Sequence, residues 1–118
     1  MPVDSKVDTR NKIVDFEEAV NLARSQEVRW VTGAFDPLLA EHAQQLRTFA
    51  QRDRLLIVVV TNIEKPLLSQ RARAELVAAL SIVDYVVMKD GPATLREPDE
   101  MVISQEFTSR VLAKSGHA

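Results

Sequence analysis

Apolar positions along this chain fall into blocks that switch between helical and strand periods. Phe16, Ala19, Val20 and Ala23 recur at helical spacing behind Asp15, and Glu18 follows Asp15 as in a capping box. This predicts a first helix to about Ser25, preceded through about Asn11 by a loose polar arm of alternating charge. Val28 to Thr32 reads as a strand that stops at Gly33. Asp36 and Pro37 then read as a helix start, with Asp36 as the N-cap and Pro37 at the first helical position, where its missing N–H costs nothing. Leu39, Ala43, Leu46 and Ala50 give this second helix an apolar stripe and leave Arg47, Gln51 and Arg52 to solvent.

Leu55 to Thr61 is continuously apolar and β-branched, the pattern of a central parallel strand covered on both faces. After Pro66, Ser69 is placed to cap a third helix with Ala72, Leu76, Ala79 and Leu80 as its buried side. Tyr85 to Met88 follows as a strand. A polar loop from Gly91-Pro92 to about Asp99, a short strand Met101 to Ile103, and a last helix from Ser104 to about Lys114 ending at Gly116 complete the pattern. Strands that alternate with helices predict a three-layer α/β domain with a parallel sheet and right-handed crossovers, spanning residues 12–118. Ligands in such sheets collect at the carboxyl ends of strands, here Thr32 to Asp36 and Thr61 to Lys65.

Composition narrows the chemistry. A length of 118 residues fits one domain, and a net charge of -2 lacks the basic surplus of a nucleic-acid binder. The longest apolar run, Leu55 to Val60, is far short of the roughly 20 residues of a membrane span. The opening MPVDSKVDTRNK has no apolar leader, so the expectation is a cytoplasmic protein. There is no cysteine, and His42 and His117 are the only histidines, so no metal-ligand set is predicted. Trp30 and Tyr85 read as core or interface residues, and Arg71 and Arg73 as solvated residues opening the third helix, within reach of phosphates.

At the end of the first long strand the chain reads Val31-Thr32-Gly33-Ala34-Phe35-Asp36-Pro37-Leu38-Leu39-Ala40-Glu41-His42. Without a gap, this resembles the Gly-x-Phe-Asp-x-x-His-x-Gly-His motif of the cytidylyltransferase-like nucleotidyltransferases. Arg73 to Leu80 followed by Val83-Asp84-Tyr85-Val86-Val87 is similar to the next helix and strand in the nucleotidyltransferase domain of ADP-heptose synthases and in glycerol-3-phosphate cytidylyltransferase. Lys12-Ile13-Val14 and Glu17-Glu18-Ala19 resemble the segment before the motif in the heptose enzymes, so the resemblance covers roughly residues 12 to 88.

The resemblance implies a Rossmann-like sheet and transfer of a nucleotidyl group from CTP or ATP with Mg²⁺, releasing pyrophosphate. It implies nucleotide or phosphate binding at Thr32, Gly33, Ala34, Phe35 and Asp36 and catalysis by His42; by their places after the second strand and at the start of the third helix, Lys65 and Arg73 are further candidates to reach a phosphate. The signature is altered: Leu39 stands at its first histidine and Glu41 at its glycine. A leucine side chain donates no hydrogen bond, and loss of one preorganised donor to a developing oxyanion costs about 10²- to 10³-fold in rate. After Met88 the family has a further helix, a strand and a Ser/Thr-rich turn that binds the triphosphate. Relative to it this sheet is truncated on its C-terminal side, with Ser104 and Thr108-Ser109-Arg110 in place of that turn. Three functions stay open: an impaired relative that binds nucleotide or phosphate, an active transferase with compensating residues, and a non-enzymatic module acting through a homodimer or another partner.

Overall fold

Long β-branched runs bury both faces only when helices cover each side of the sheet they form. A computed structural model describes residues 8–90 and 101–103 in such an arrangement. The predicted loop to Asp99 and the predicted helix from Ser104 lie outside the described residues, as does most of the N-terminal arm. A single 3-10 turn, Thr9–Lys12, opens the described part. In chain order there follow β1 (Ile13–Val14), α1 (Phe16–Ser25), β2 (Val28–Gly33), α2 (Ala40–Phe49), β3 (Leu55–Thr61), α3 (Gln70–Ala78), β4 (Tyr85–Lys89) and β5 (Met101–Ile103).

The five strands pair in the order β1-β4-β3-β2-β5, and each pair is parallel. Register sets Trp30 beside Ile57, Val31 beside Val58 and Gly33 beside Val60, while Val58 faces Val86 on the other flank of β3. Because side chains alternate along a strand, β3 feeds two cores. Leu56, Val58 and Val60 pack with Val31, Val86, Leu46 of α2 and Ala74, Val77 and Ala78 of α3. Ile57 and Val59 pack on the opposite side with Trp30, Val87 and Ala19 of α1. The three-layer, Rossmann-like parallel sheet is therefore present, with Trp30 and Tyr85 both in the second core.

Helix starts follow local chemistry in two places and depart from it in one. Asp15 caps α1 by accepting from the Glu18 N–H at 2.8 Å, and Ser69 caps α3 by accepting from the Ala72 N–H at 3.1 Å. The second helix, by contrast, begins at Ala40 with Leu39 as its N-cap, not at Pro37. Asp36 is not the cap because its carboxylate accepts hydrogen bonds from a different loop, and the Asp36–Pro37 peptide is cis. The expected buried face of α3 is also corrected. Arg73, Ala74, Val77 and Ala78 are buried, whereas Leu76 is 44% exposed. Residues 72 to 80 are apolar nearly all round apart from Arg73 and Glu75, so periodicity could not choose the side. Small residues let this face lie close on β3 and β4.

β2 is the strand at which the chain changes direction across the sheet. β3 and β4 extend to one side of it, and the chain then returns to place β5 on the other. Gly33 closes β2 at this point. A Cβ there would lie 2.9 Å from the Phe35 ring and 3.1 Å from the Ile103 carbonyl oxygen. Gly33→Ala should therefore lower unfolding stability by about 1–3 kcal/mol, read as a lower urea midpoint at unchanged slope; an unchanged midpoint would show that this packing yields freely.

Candidate functional site

The carboxyl ends of β2 and β3 are held by a buried arginine. Arg73 is wholly inaccessible. Its Nη1 donates to the carbonyl oxygens of Ala34 and Thr61, each at 2.8 Å, and its Nε donates to the carbonyl of Leu68 at 3.1 Å. The planar guanidinium suits this task because its donors are fixed in a fork, which a lysine ammonium cannot imitate. Its Nη2 is buried with no hydrogen-bond partner among the described residues. Burial pushes the guanidinium down from its ordinary value, and the Asp36 carboxylate works against that shift. The expectation of a solvated Arg73 is thus corrected, whereas Arg71 is exposed and pairs with Glu75 at 3.0 Å.

Asp36 completes the tie. It is 5% exposed, and its two oxygens accept from the N–H groups of Leu67 at 2.6 Å and Leu68 at 2.8 Å. Leu68 is consequently gripped at both its N–H and its carbonyl. Gln70 adds a further clasp, donating from Nε2 to the Val60 carbonyl at 3.0 Å and the Lys89 carbonyl at 3.3 Å. Thr61 Oγ1 donates to the Gly33 carbonyl at 3.4 Å across the two strands. These contacts join the ends of β2, β3 and β4 and the loop before α3.

The turn after β2 is shaped as much by packing as by polarity. Phe35 is buried and has φ of 52°, a left-handed conformation that is unusual for a bulky residue. Its ring lies over Gly33 and meets the His42 imidazole edge-on at 6.0 Å between centroids. His42 is fully buried in the first turn of α2. Its Nδ1 accepts from the Leu39 N–H at 3.0 Å, so His42 performs the reverse half of a capping box, a task commonly given to Glu or Gln. That bond leaves the proton of the neutral imidazole on Nε2. Burial pushes the imidazole down from its ordinary value, with the Glu41 carboxylate and a backbone hydrogen bond at Pro37 opposing.

The structure thus brings Gly33, Ala34, Phe35, Asp36, His42 and Arg73 together at one end of the sheet. Thr32 is buried within β2 just beneath them. Lys65 is exposed, has φ of 51°, and stands on the loop that Asp36 grips at Leu67 and Leu68. Glu41 is exposed and Leu39 half-buried. Inspection of the sequence missed the Leu67 and Leu68 amides and the Thr61 carbonyl. Every residue carries such backbone groups, so no side-chain signal marks them. Among the described residues no three His, Cys, Asp or Glu are placed to hold a metal ion, and no helix is long and apolar enough to cross a membrane.

No protein-family model matches the chain. The bifunctional protein HldE of Syntrophotalea carbinolica is 30% identical over 119 residues, covering 89% of this chain and 24% of that protein. HldE of Helicobacter pylori is 29% identical over 124 residues, covering 93% of this chain and 27% of its own length. HldE of Pelobacter propionicus is 27% identical over 122 residues, covering 96% and 24%. The chain therefore spans about a quarter of the length of the curated relatives it matches. This similarity supports a nucleotidyltransferase-like domain of the cytidylyltransferase-like superfamily.

The buried His42 carries a pH dependence. Its folded-state pKa is depressed, so protons bind more readily to the unfolded chain, and stability present above the ordinary histidine value of about 6.5 is lost as pH falls below it. His42→Gln keeps an acceptor for the Leu39 N–H and removes the titration. Stability measured by urea unfolding should fall more between pH 7 and pH 5 in the parent than in His42→Gln; parallel profiles would contradict this.

Proposed function

We propose that this domain binds a nucleotide or small phosphate at the carboxyl ends of β2 and β3, and that it does so with weak or no nucleotidyl transfer. The observation that carries this reading is the contrast between an intact, tightly braced turn, Gly33 to Asp36, and the start of α2, where the family's catalytic donors belong. Transfer between phosphates asks the protein mainly to stabilise spreading negative charge. The Leu39 side chain offers no donor there, Glu41 adds a carboxylate, and the retained His42 accepts at Nδ1 from the Leu39 N–H, its ring against Phe35.

Among the described residues, no set of carboxylates fits a resident Mg²⁺. Such a cation takes oxygen ligands in a near-octahedral set; Asp36 directs both oxygens to backbone amides, and Asp90 beyond β4 accepts from Asn62. A magnesium ion would arrive with the triphosphate. Exposed Lys65 is the cation placed to meet a phosphate at the rim. The alternative of an interaction module draws on Leu76 and Val102, which are 44% and 52% exposed.

Thermal unfolding with millimolar CTP or ATP, each with Mg²⁺, tests the binding claim. For a Kd of ~0.1 mM, 1 mM ligand adds about 1.4 kcal/mol, which raises the midpoint of a domain of this size by roughly 5–10 °C. The same samples should release pyrophosphate at near-background rates, and Leu39→His with Glu41→Gly should raise both affinity and rate. No midpoint shift with either nucleotide would overturn the binding claim, and rapid release by the parent would overturn the claim of weak catalysis.

A further inference from the structure

Residues 8–14 pack against α3 and end on the edge of β4 that β3 leaves open. They are held by few contacts. No residue of the Thr9–Lys12 turn is buried. The ladder that follows is two residues long, with Ile13 beside Val86 and Val14 beside Val87. Each side chain is only partly buried, Ile13 against one core and Val14 against the other. A surface cavity of about 430 Å³ lies between Thr9, Asn11 and Lys12 and the amino ends of β3 and β4 at Leu55, Asp84 and Tyr85. The turn therefore bridges open space instead of resting on a packed floor.

One bond of this segment reaches far along the chain. The last carbonyls of a helix carry partial negative charge, and α3 has no basic residue in its last turn. Lys12 supplies that charge from outside the helix. Its Nζ donates to the Leu80 carbonyl at 3.0 Å in a part-buried position, and the same carbonyl accepts from the Val83 N–H at 3.1 Å. Charges also alternate between the segment and the helix. Asp8 accepts from Arg10 through both oxygens at 2.9 and 3.0 Å, and Arg71 donates to Glu75 at 3.0 Å. Arg10 lowers the Asp8 carboxyl and Arg71 adds to that shift, while Asp8 and then Glu75 raise Arg10. These pairs are exposed, so each contributes little alone.

The amino end of α3 is pinned separately, by the Ser69 cap and by Arg73 on the carbonyls of Ala34, Thr61 and Leu68. Segments with few buried contacts and exposed hydrogen bonds open while the rest of a fold stays closed. We propose that residues 8–14 form a releasable strap, which lifts from α3 and the β4 edge as one unit while β2, β3 and the Arg73 brace stay closed. The Lys12 ammonium on the Leu80 carbonyl is the latch that sets how often it lifts. Opening uncovers the backbone edge of Val86 and Val87 and the seats of Ile13 and Val14 in the two cores. The device does not depend on the nucleotide-binding reading.

Hydrogen exchange followed by NMR on the full chain tests this, comparing the parent with Lys12→Met and with Arg52→Met, which removes an exposed cation outside the strap. In the parent, the Ile13 and Val14 amides should be protected, but at least about tenfold less than Val58 and Val59 of β3. Lys12→Met should speed exchange at Ile13 and Val14 by roughly tenfold and leave Val58 and Val59 unchanged, and Arg52→Met should change neither pair. Absent protection at Ile13 and Val14 in the parent, or protection equal to that of β3, would overturn the strap. An unaltered rate at Ile13 and Val14 in Lys12→Met, a rise shared equally with β3, or the same rise in Arg52→Met would overturn the latch. Should Lys12→Met not fold, the parent decides through salt: raising ionic strength from about 0.05 to about 0.5 M should speed exchange at Ile13 and Val14 relative to Val58 and Val59, and a constant ratio would overturn the proposal.

Discussion

A single buried guanidinium links three segments that the sheet alone would leave separate. Parallel strands end in loops whose carbonyls have no ladder partner, and inside a protein such groups must find donors or cost about 1–3 kcal/mol each. Arg73 satisfies the carbonyls of Ala34, Thr61 and Leu68 from one side chain, and Asp36 supplies a nearby negative charge while receiving two amides of the same loop. Burying a charge is unfavourable unless hydrogen bonds and an opposite charge accompany it. The arrangement therefore favours one conformation of the strand-end loops over others that would strand the guanidinium or the carbonyls.

The rest of the candidate site depends on that constraint. With the Ala34 carbonyl held, Phe35 can fold its ring over Gly33 and onto His42, and His42 can accept from Leu39 to start α2. Each step uses a residue named as a candidate for binding or catalysis, but for a structural task. Asp36 clamps a loop, His42 caps a helix and Arg73 braces carbonyls. The same contacts leave the turn preorganised, which is what a phosphate-binding backbone needs, and they bring few free side-chain donors to the place where charge would develop in a transfer reaction.

Much of the fold was legible because its signals are local. The β-branched run from Leu55, the capping pair at Asp15 and the Ser69 cap each report on their own neighbourhood, and β3, α1 and the start of α3 lie where those signals put them. What was illegible is non-local. Ile13 and Val14 form a strand only because β4 offers a parallel edge, and two residues carry no period. Asp36 looked like a helix cap because its proper partners, Leu67 and Leu68, lie far along the chain. Arg73 looked solvated because arginine usually is, and only the folded sheet brings Ala34 and Thr61 to it. The one hint was its place on the arc shared with Ala74, Val77 and Ala78.

A double-mutant cycle between Asp36 and Arg73, read by urea unfolding, tests this account most directly. Asp36→Asn and Arg73→Gln, singly and together, remove partners that share Leu68, so their costs should couple by about 0.5–3 kcal/mol. Costs that add to within about 0.3–0.5 kcal/mol would show that the two residues stabilise the strand ends independently, and would contradict the view of one connected brace.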